Sequence, residues 1–132
     1  TAITFDVVSA KGCYEGGIIV PGIRLSAESL HNKTALLPKI DIVCGPKALV
    51  GKDTKESILS GIFFGYGEMC CGLIDRITSK MKSAPKVIVT GGYTHLMKRF
   101  ISKKITQIEK NLVFKGIEIL NRDIVGHGTS KE

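Results

Sequence analysis

Apolar side chains recur at helical spacing in the middle of the chain and predict one long helix. The stripe consists of Ile58, Ile62, Tyr66, Met69, Leu73 and Ile77, each three or four residues after the last. Further apolar residues widen it: Leu59, Phe63, Cys70 and Ile74. Asp53 is a good N-cap, and Glu56 follows it at capping-box spacing. We expect a largely buried helix that begins after Asp53 and ends at about Met81.

Small residues interrupt this helix at Ser57, Gly61 and Gly65, four positions apart. A glycine inside a helix costs about 1 kcal/mol relative to alanine, so the spacing indicates that something packs closely there. Two explanations stay open. The helix either contacts the protein's own sheet, or it meets a second subunit.

The first third of the chain predicts a hairpin followed by a helix. Residues 3–8 have the β-branched and aromatic content of a strand, residues 10–12 form a turn, and Tyr14 to Val20 reads as the returning strand. Pro21 and Gly22 end that strand because proline lacks the backbone donor of a central ladder. From Ile23 to about Thr34 the apolar spacing is helical.

Shorter elements are predicted after these. Ile40 to Val43 is a candidate short strand, and Lys86 to Val89 is an apolar run typical of a buried strand. A helix from Tyr93 to about Ser102 follows, and a last helix or strand-like stretch lies near Val113 to Leu120. Residues 125–132 are expected to form a frayed tail after a single domain over residues 1–124.

Composition restricts the class of partner. The 132 residues suffice for one domain with a sizeable core, and the formal net charge of +7 favours anionic ligands. Aromatic residues make up 6% and do not alternate with basic ones, so we predict no nucleic-acid partner. No apolar run approaches the roughly 18 residues of a membrane span, and the beginning lacks a signal-peptide pattern. We therefore expect no membrane partner and a cytoplasmic location.

No established nucleophile or metal-ligand pattern occurs in the sequence. The four cysteines (Cys13, Cys44, Cys70 and Cys71) lack metal-ligand spacing, so we expect reduced, buried thiols and no metal site. Nucleophile-elbow, P-loop and Rossmann patterns are also missing. Among the aspartates, Asp6 is the best placed for a role near a ligand, while Asp75 is expected to pair with basic residues.

Three places allow a ligand to approach closely. Thr90-Gly91-Gly92 follows a predicted strand and precedes a helix, where glycines admit a sugar or phosphate; a plain turn is the competing interpretation. Thr54 lies in the first turn of the long helix and is left available if Asp53 caps it. Thr1 flanks a hairpin whose turn could face a phosphate.

Six short blocks in this order resemble a known family. They are Thr1-Ala2-Ile3-Thr4-Phe5-Asp6, Gly16-Gly17-Ile18-Ile19-Val20-Pro21-Gly22, Thr34-Ala35-Leu36-Leu37-Pro38, Gly51-Lys52-Asp53-Thr54, Ser60-Gly61-Ile62-Phe63-Phe64-Gly65 and Thr90-Gly91-Gly92. The series, from Thr1 to about Asn121, resembles the carboxy-terminal half of type III pantothenate kinase. That resemblance implies an α/β fold with a ribonuclease H-like (actin-like ATPase) domain, a mixed sheet with flanking helices, as one half of a two-domain kinase.

The resemblance also implies roles for individual residues. Thr1 would contact an ATP phosphate, Thr54 would contact pantothenate, and Thr90, Gly91 and Gly92 would lie near the adenosine end of the nucleotide. Asp53 stands where the family usually has Asn, which adds a charge near an anionic substrate.

The implied activity is ATP-dependent phosphorylation of pantothenate, the entry step of coenzyme A synthesis. The family's catalytic base and first phosphate loop are expected before Thr1, so no catalytic residue is assigned here, and the chain alone is expected to be inactive. Mg-ATP, a monovalent cation (potassium or ammonium) and a homodimer are further implications. A non-catalytic binding or regulatory relative, and a kinase for another small molecule, are the alternatives.

Overall fold

The computed structural model describes residues 2–127, with side chains as far as Ile124. The strands are β1 (Ala2–Val8), β2 (Tyr14–Pro21), β3 (Ile88–Val89) and β4 (Gln107–Ile108). The helices are α1 (Ile23–Asn32), α2 (Thr54–Thr78), α3 (Thr94–Ile101) and α4 (Leu112–His127), and a short 3-10 turn at Ser102–Lys104 follows α3. Antiparallel and parallel pairing both occur, as in a mixed sheet, but in two separate two-stranded sheets, β1–β2 and β3–β4.

The predicted hairpin is confirmed. β1 and β2 pair in antiparallel register from Ala2 opposite Pro21 to Val8 opposite Tyr14, with a bulge at Val7 and Val8. Alternate β1 residues turn Ile3 and Phe5 toward the core, as a half-buried strand requires. The hairpin therefore covers one side of the helices.

The core lies around α2, whose capped start is confirmed. The Asp53 carboxylate accepts a hydrogen bond from the Glu56 amide at 2.8 Å. Phe63 is fully buried near the middle of the helix. It belongs to a cluster of buried residues from α1, α2, α3 and the segment between α1 and α2: Ile23, Ala27, Ile40, Ile58, Leu59, Ile62, Cys70, Met97 and Ile101. Regular helix ends at Thr78, where the amides of Lys80 and Met81 turn to carbonyls three residues back.

Several shorter predictions differ from the structure. Residues 40–43 form no strand. The Ile40 side chain is buried in the core, and the Val43 amide donates a hydrogen bond to the Asp41 carbonyl within the segment instead of to a neighbouring strand. The strand predicted to be buried at residues 86–89 is two residues long, and Ile88 is 47% exposed. The last element is a helix, and each side chain from Leu112 to Ile124 is exposed. Residues 125–127 continue its backbone and 128–132 lie outside the description, so the frayed tail stays a prediction.

Close packing on α2 occurs at a different glycine from those predicted. A Cβ on Gly67 would lie 2.8 Å from the Phe100 Cβ of α3, whereas one on Gly61 or Gly65 would meet no atom within 4 Å. The explanation that Gly61 and Gly65 pack on the protein's own sheet is therefore wrong for residues 2–127. The second-subunit explanation stays a prediction.

The expectation that no segment resembles a membrane span also needs correction. By length and composition α2 is apolar enough to cross a membrane, although part of its most apolar stretch is buried inside the protein. One such helix is weak evidence, because the core helix of a globular protein has the same composition. Here α2 carries the centre of the core, including Phe63, and packs against α1 and α3, so we assign it to the protein interior.

Candidate substrate groove and glycine turn

An open groove of about 830 Å³ lies between α1 and α2. Its lining is mainly apolar, with hydroxyl groups interspersed. The lining residues are Pro21, Leu25, Ser26, Ser29, Leu30, Lys33, Thr34, Leu37, Thr54, Ser57, Ile58, Gly61, Ile62 and Tyr66. The size lies in the usual range for small-molecule sites.

Thr54 lies at the α2 end of this groove, as the first residue of the helix. The neighbouring cap explains why its hydroxyl is available. Asp53 accepts from the Glu56 amide, and the Ser57 hydroxyl donates to the Asp53 carbonyl at 2.7 Å. Among the described side chains, as far as Ile124, none forms a hydrogen bond with the Thr54 hydroxyl, so this hydroxyl is free to bind a ligand.

Tyr66 closes the other side of the groove. Its hydroxyl donates to the Pro21 carbonyl at 2.8 Å and lies 2.5 Å from the Ser26 hydroxyl. This bridge joins the end of β2 to α1 and α2. From its spacing in the sequence, Tyr66 was predicted only to be part of the apolar stripe of α2. The sequence did contain a signal for this bridge, namely a tyrosine in an otherwise apolar stripe. A tyrosine hydroxyl that is buried usually forms a hydrogen bond, so a partner could have been expected.

Lys33 is the one charged residue in the described lining, and sequence analysis did not single it out. It follows α1 directly, and its amide caps the helix by donating to the Ser29 carbonyl at 3.0 Å. A cation without a nearby carboxylate in the lining favours an anionic or carboxylate-bearing ligand in this groove.

The glycine turn Thr90-Gly91-Gly92 lies between β3 and α3, away from the groove lining. Gly91 has a φ of +106°, a backbone conformation that residues other than glycine rarely adopt. A Cβ added to Gly92 would have no atom within 4 Å. The Thr94 amide donates to the Gly91 carbonyl at 3.2 Å. The turn is exposed, and its backbone allows close approach of a ligand.

Glu109 lies at the same edge, because β3 and β4 are parallel and end side by side. Its amide donates to the Val89 carbonyl at 2.9 Å. Its carboxylate accepts a hydrogen bond from Lys115 Nζ at 2.5 Å, and this bond, with a second one from the Asn111 amide, lowers the pKa of Glu109. The position of Glu109 could not be predicted from the sequence, since only the parallel register brings it beside the glycine turn.

The remaining predicted residues fall elsewhere. Thr1 lies outside the described residues. Asp6 is exposed on β1, where its carboxylate accepts hydrogen bonds from Thr4 and Tyr14 of the hairpin. Asp75 pairs with Lys104 at 2.5 Å, as expected of an aspartate facing basic residues. Within the described part of the chain no three His, Cys, Asp or Glu side chains form a cluster that could hold a metal ion.

The thiols are only partly as predicted. Cys13 and Cys44 are exposed, which corrects the expectation of four buried cysteines. Burial, followed by the neighbouring Cys71, raises the pKa of Cys70 to about 11. Burial also raises the pKa of Cys71, whose thiol lies 3.9 Å from the Phe100 carbonyl. Cys70 and Cys71 therefore stay protonated at neutral pH and contribute to packing.

Comparison with known proteins identifies the family. The protein-family model described as type III pantothenate kinase matches residues 1–77 of this chain. These residues include both strands of the hairpin, α1 and nearly all of α2. The chain belongs to the type III pantothenate kinase family. A relative named type III pantothenate kinase from Desulfosudis oleivorans is 44% identical over 120 residues, covering 91% of this chain and 47% of that protein.

Another relative of the same name, from Persephonella marina, is 59% identical over 92 residues, covering 70% of this chain and 36% of the relative. The chain thus spans about half the length of the curated relatives it matches, or less. A Campylobacter jejuni crystal structure described under the Baf family of transcriptional activators superposes with a TM-score of 0.59 at 22% identity. It covers 95% of this chain and 55% of that one, and at this identity the likeness concerns the fold alone.

Proposed function

We propose that this chain supplies the carboxy-terminal half of the active site of a kinase that phosphorylates pantothenate with ATP. The product is 4'-phosphopantothenate, and the reaction is the first step of coenzyme A biosynthesis. The observation that carries the proposal is the free Thr54 hydroxyl on the apolar groove. It stands at the end of the Gly51-Lys52-Asp53-Thr54 block, in a chain of the type III pantothenate kinase family.

The chemistry of the groove suits pantothenate. That molecule carries a carboxylate, an amide, two hydroxyls and a pair of methyl groups. Aliphatic side chains such as Leu30 and Ile62 offer contact to the methyl groups, and Thr54 and Ser57 offer hydrogen bonds to hydroxyl or amide groups. Lys33 supplies a positive charge for the carboxylate. We propose Thr54 as the principal substrate contact.

The nucleotide is assigned to other parts of the chain. We propose that Thr1 contacts an ATP phosphate and that Thr90, Gly91 and Gly92 border the adenosine. In the reaction the primary hydroxyl oxygen of pantothenate forms a bond to the γ-phosphorus. The bond from that phosphorus to the bridging oxygen of ADP breaks, and the hydroxyl proton passes to a base. That base and the first phosphate loop belong to the family's other half, so we propose that the chain alone does not turn over.

We further propose the fold, domain and assembly of the intact kinase. Residues 1–124 would form a ribonuclease H-like (actin-like ATPase) domain, with 125–132 as a tail, in a cytoplasmic homodimer. The open faces of Gly61 and Gly65 leave room for a helix of a second subunit. Mg²⁺ would neutralise phosphate charge, with a monovalent cation beside it. We expect neither nucleic acid nor membrane as a partner.

Thermal unfolding of this chain with and without ligand tests the substrate assignment. A ligand present at 100 times its Kd stabilises the folded state by about 2.7 kcal/mol. We expect pantothenate to raise Tm and to do so far less in Thr54→Val, while glucose and acetate leave Tm unchanged. Stabilisation by a sugar instead would favour a kinase for another small molecule. No shift with any of these ligands would favour the non-catalytic alternative.

An ATP-dependent phosphorylation assay with pantothenate tests the second part of the proposal. We expect no product from the chain alone. Turnover would show that the described residues contain a complete active site, and would overturn the assignment of half a site.

A further inference from the structure

The side chain of Arg99 joins α3 by a hydrogen bond to the loop that leads to Thr54. This loop comprises residues 45–53, has no regular secondary structure and ends at the N-cap Asp53. An Arg99 guanidinium nitrogen donates to the Pro46 carbonyl at 2.5 Å, across 53 positions of sequence. Pro46 is itself buried, so its carbonyl has little access to water.

Gly45 fits tightly against the same side chain. A Cβ at Gly45 would lie 3.0 Å from an Arg99 nitrogen and 3.6 Å from the Phe100 ring. The guanidinium carbon lies 4.5 Å from the centre of the Phe100 ring, a distance typical of cation–π contact. Arg99 is thereby held in place between the loop backbone and an aromatic ring.

Phe100 in turn fixes α3 on α2. Its ring centre lies 5.4 Å from that of Phe63 and 4.9 Å from that of Phe64, and its Cβ lies against Gly67. The start of the loop is therefore connected, through Arg99 and Phe100, to the fully buried Phe63 at the centre of the core.

Two contacts with α2 hold the other end of the loop. The buried Ser60 hydroxyl donates to the Leu49 carbonyl, and Gly51 lies so close to the helix that a Cβ would be 2.3 Å from the Ser57 amide nitrogen. Both anchors lie within the element that carries Thr54, whereas Arg99 belongs to a different helix. We expect that loss of the Arg99 side chain would release the loop from α3 and leave α2, which carries Thr54, intact.

We propose that Arg99 is a positioning residue: by holding the Pro46 carbonyl it sets the path of the 45–53 loop and the placement of Thr54 on the groove. The inference rests on the proposed function in that Thr54 is taken to contact pantothenate. Arg99 also connects the 45–53 loop to α3, which is the helix that follows the glycine turn.

Limited trypsin digestion followed by mass spectrometry tests the anchor without any ligand. Lys47 is exposed in the loop, and cleavage after it requires the loop to open. We expect Arg99→Met to speed this cleavage roughly tenfold, because a bond from a charged donor to a buried carbonyl is lost. Arg99→Lys keeps one donor but not the planar contact and should lie between. Lys98→Met, one residue away on α3, is the matched control, and cleavage after Lys11 in the hairpin turn is the internal one.

Pantothenate affinity, measured by calorimetry on the same variants, tests the consequence for Thr54. We expect about tenfold weaker binding for Arg99→Met, a partial rescue by Arg99→Lys and no change for Lys98→Met. In a double-mutant cycle, Arg99→Met should weaken binding much less when Thr54 is already Val, because the two residues act through one contact.

The outcomes separate the two claims. Unchanged cleavage after Lys47 in Arg99→Met would overturn the anchor. Faster cleavage with unchanged affinity, or additive losses in the cycle, would overturn the link to Thr54. If the unmodified chain binds no pantothenate, the proposed function fails, and the cleavage result still decides whether Arg99 holds the loop.

Discussion

Gly67→Ala should destabilise this protein, although alanine is the better helix former. Gly67 lies in the interior of α2, and its missing side chain is the space into which Phe100 packs. An added Cβ would lie 2.8 Å from the Phe100 Cβ and 3.3 Å from the Phe100 carbonyl oxygen. Neither atom is the end of a flexible side chain, so α3 must move as a whole.

The magnitude follows from two opposing effects. Replacing a helical glycine by alanine gains about 1 kcal/mol of helix propensity. Overpacking a core contact costs about 1–3 kcal/mol. Gly67→Ala should therefore lower the free energy of unfolding by about 0–2 kcal/mol. Gly72→Ala is the matched control, since it lies on the same helix, is exposed and has no atom within 4 Å of its Cβ. Gly72→Ala should raise the free energy of unfolding by close to 1 kcal/mol.

Urea unfolding followed by circular dichroism measures both variants on the same footing. The expected difference in unfolding free energy is about 1–3 kcal/mol in favour of Gly72→Ala, with unchanged m-values. In thermal scans this corresponds to at least about 3 °C in Tm. Equal stability of the two variants, or a more stable Gly67→Ala, would refute the close contact between α2 and α3.

Three further predictions concern association, pH and the helix cap. Gly61→Leu should raise the Tm of the monomer slightly, because it replaces an exposed helical glycine whose Cβ would meet open space. It should nevertheless reduce the mass of a dimer in sedimentation analysis; unchanged mass would count against an interface at this glycine. Because the pKa of Cys70 is raised from 9.0 to about 11, the folded state holds its proton more tightly. Stability should therefore fall as pH rises between about 9 and 11 and do so less in Cys70→Ala; identical slopes would contradict this. Asp53→Ala should cost about 1 kcal/mol of stability and Asp53→Asn very little, as urea unfolding would reveal; equal losses would contradict the cap.

Local patterns were sufficient for the elements whose sequence signals agree with their packing. The start of α2 followed from Asp53 and Glu56, and the hairpin from two β-rich runs around a short turn. The segment 40–43 shows the limit of such reasoning. Its apolar residues suit a strand, but burial of Ile40 holds them without a partner strand.

Contacts between distant segments were beyond the sequence alone. Glycine spacing drew attention to Gly61 and Gly65, yet the close contact is at Gly67, because only the docked α3 determines which glycine meets Phe100. The bridge from Tyr66 to Ser26 spans 40 positions and was equally hidden.

In the candidate site, too, some residues could be predicted from the sequence and others only from contacts between distant segments. Thr54 was predicted from the cap and the resemblance, and the structure adds the groove on which it lies. Lys33 and Arg99 emerged only when α1, α3 and the 45–53 loop were seen together. Thr90, Gly91 and Gly92 remain predictions as nucleotide contacts, with a backbone geometry at Gly91 that suits the role.

The most direct test of the central claim is a chimeric kinase. The carboxy-terminal half of the Desulfosudis oleivorans relative would be replaced by this chain, and ADP formation would be followed with and without pantothenate. We predict pantothenate-dependent ADP formation that is strongly reduced by Thr54→Val. A chimera that unfolds cooperatively and binds ATP, yet fails to phosphorylate pantothenate, would contradict the claim that this chain supplies half of a pantothenate kinase site.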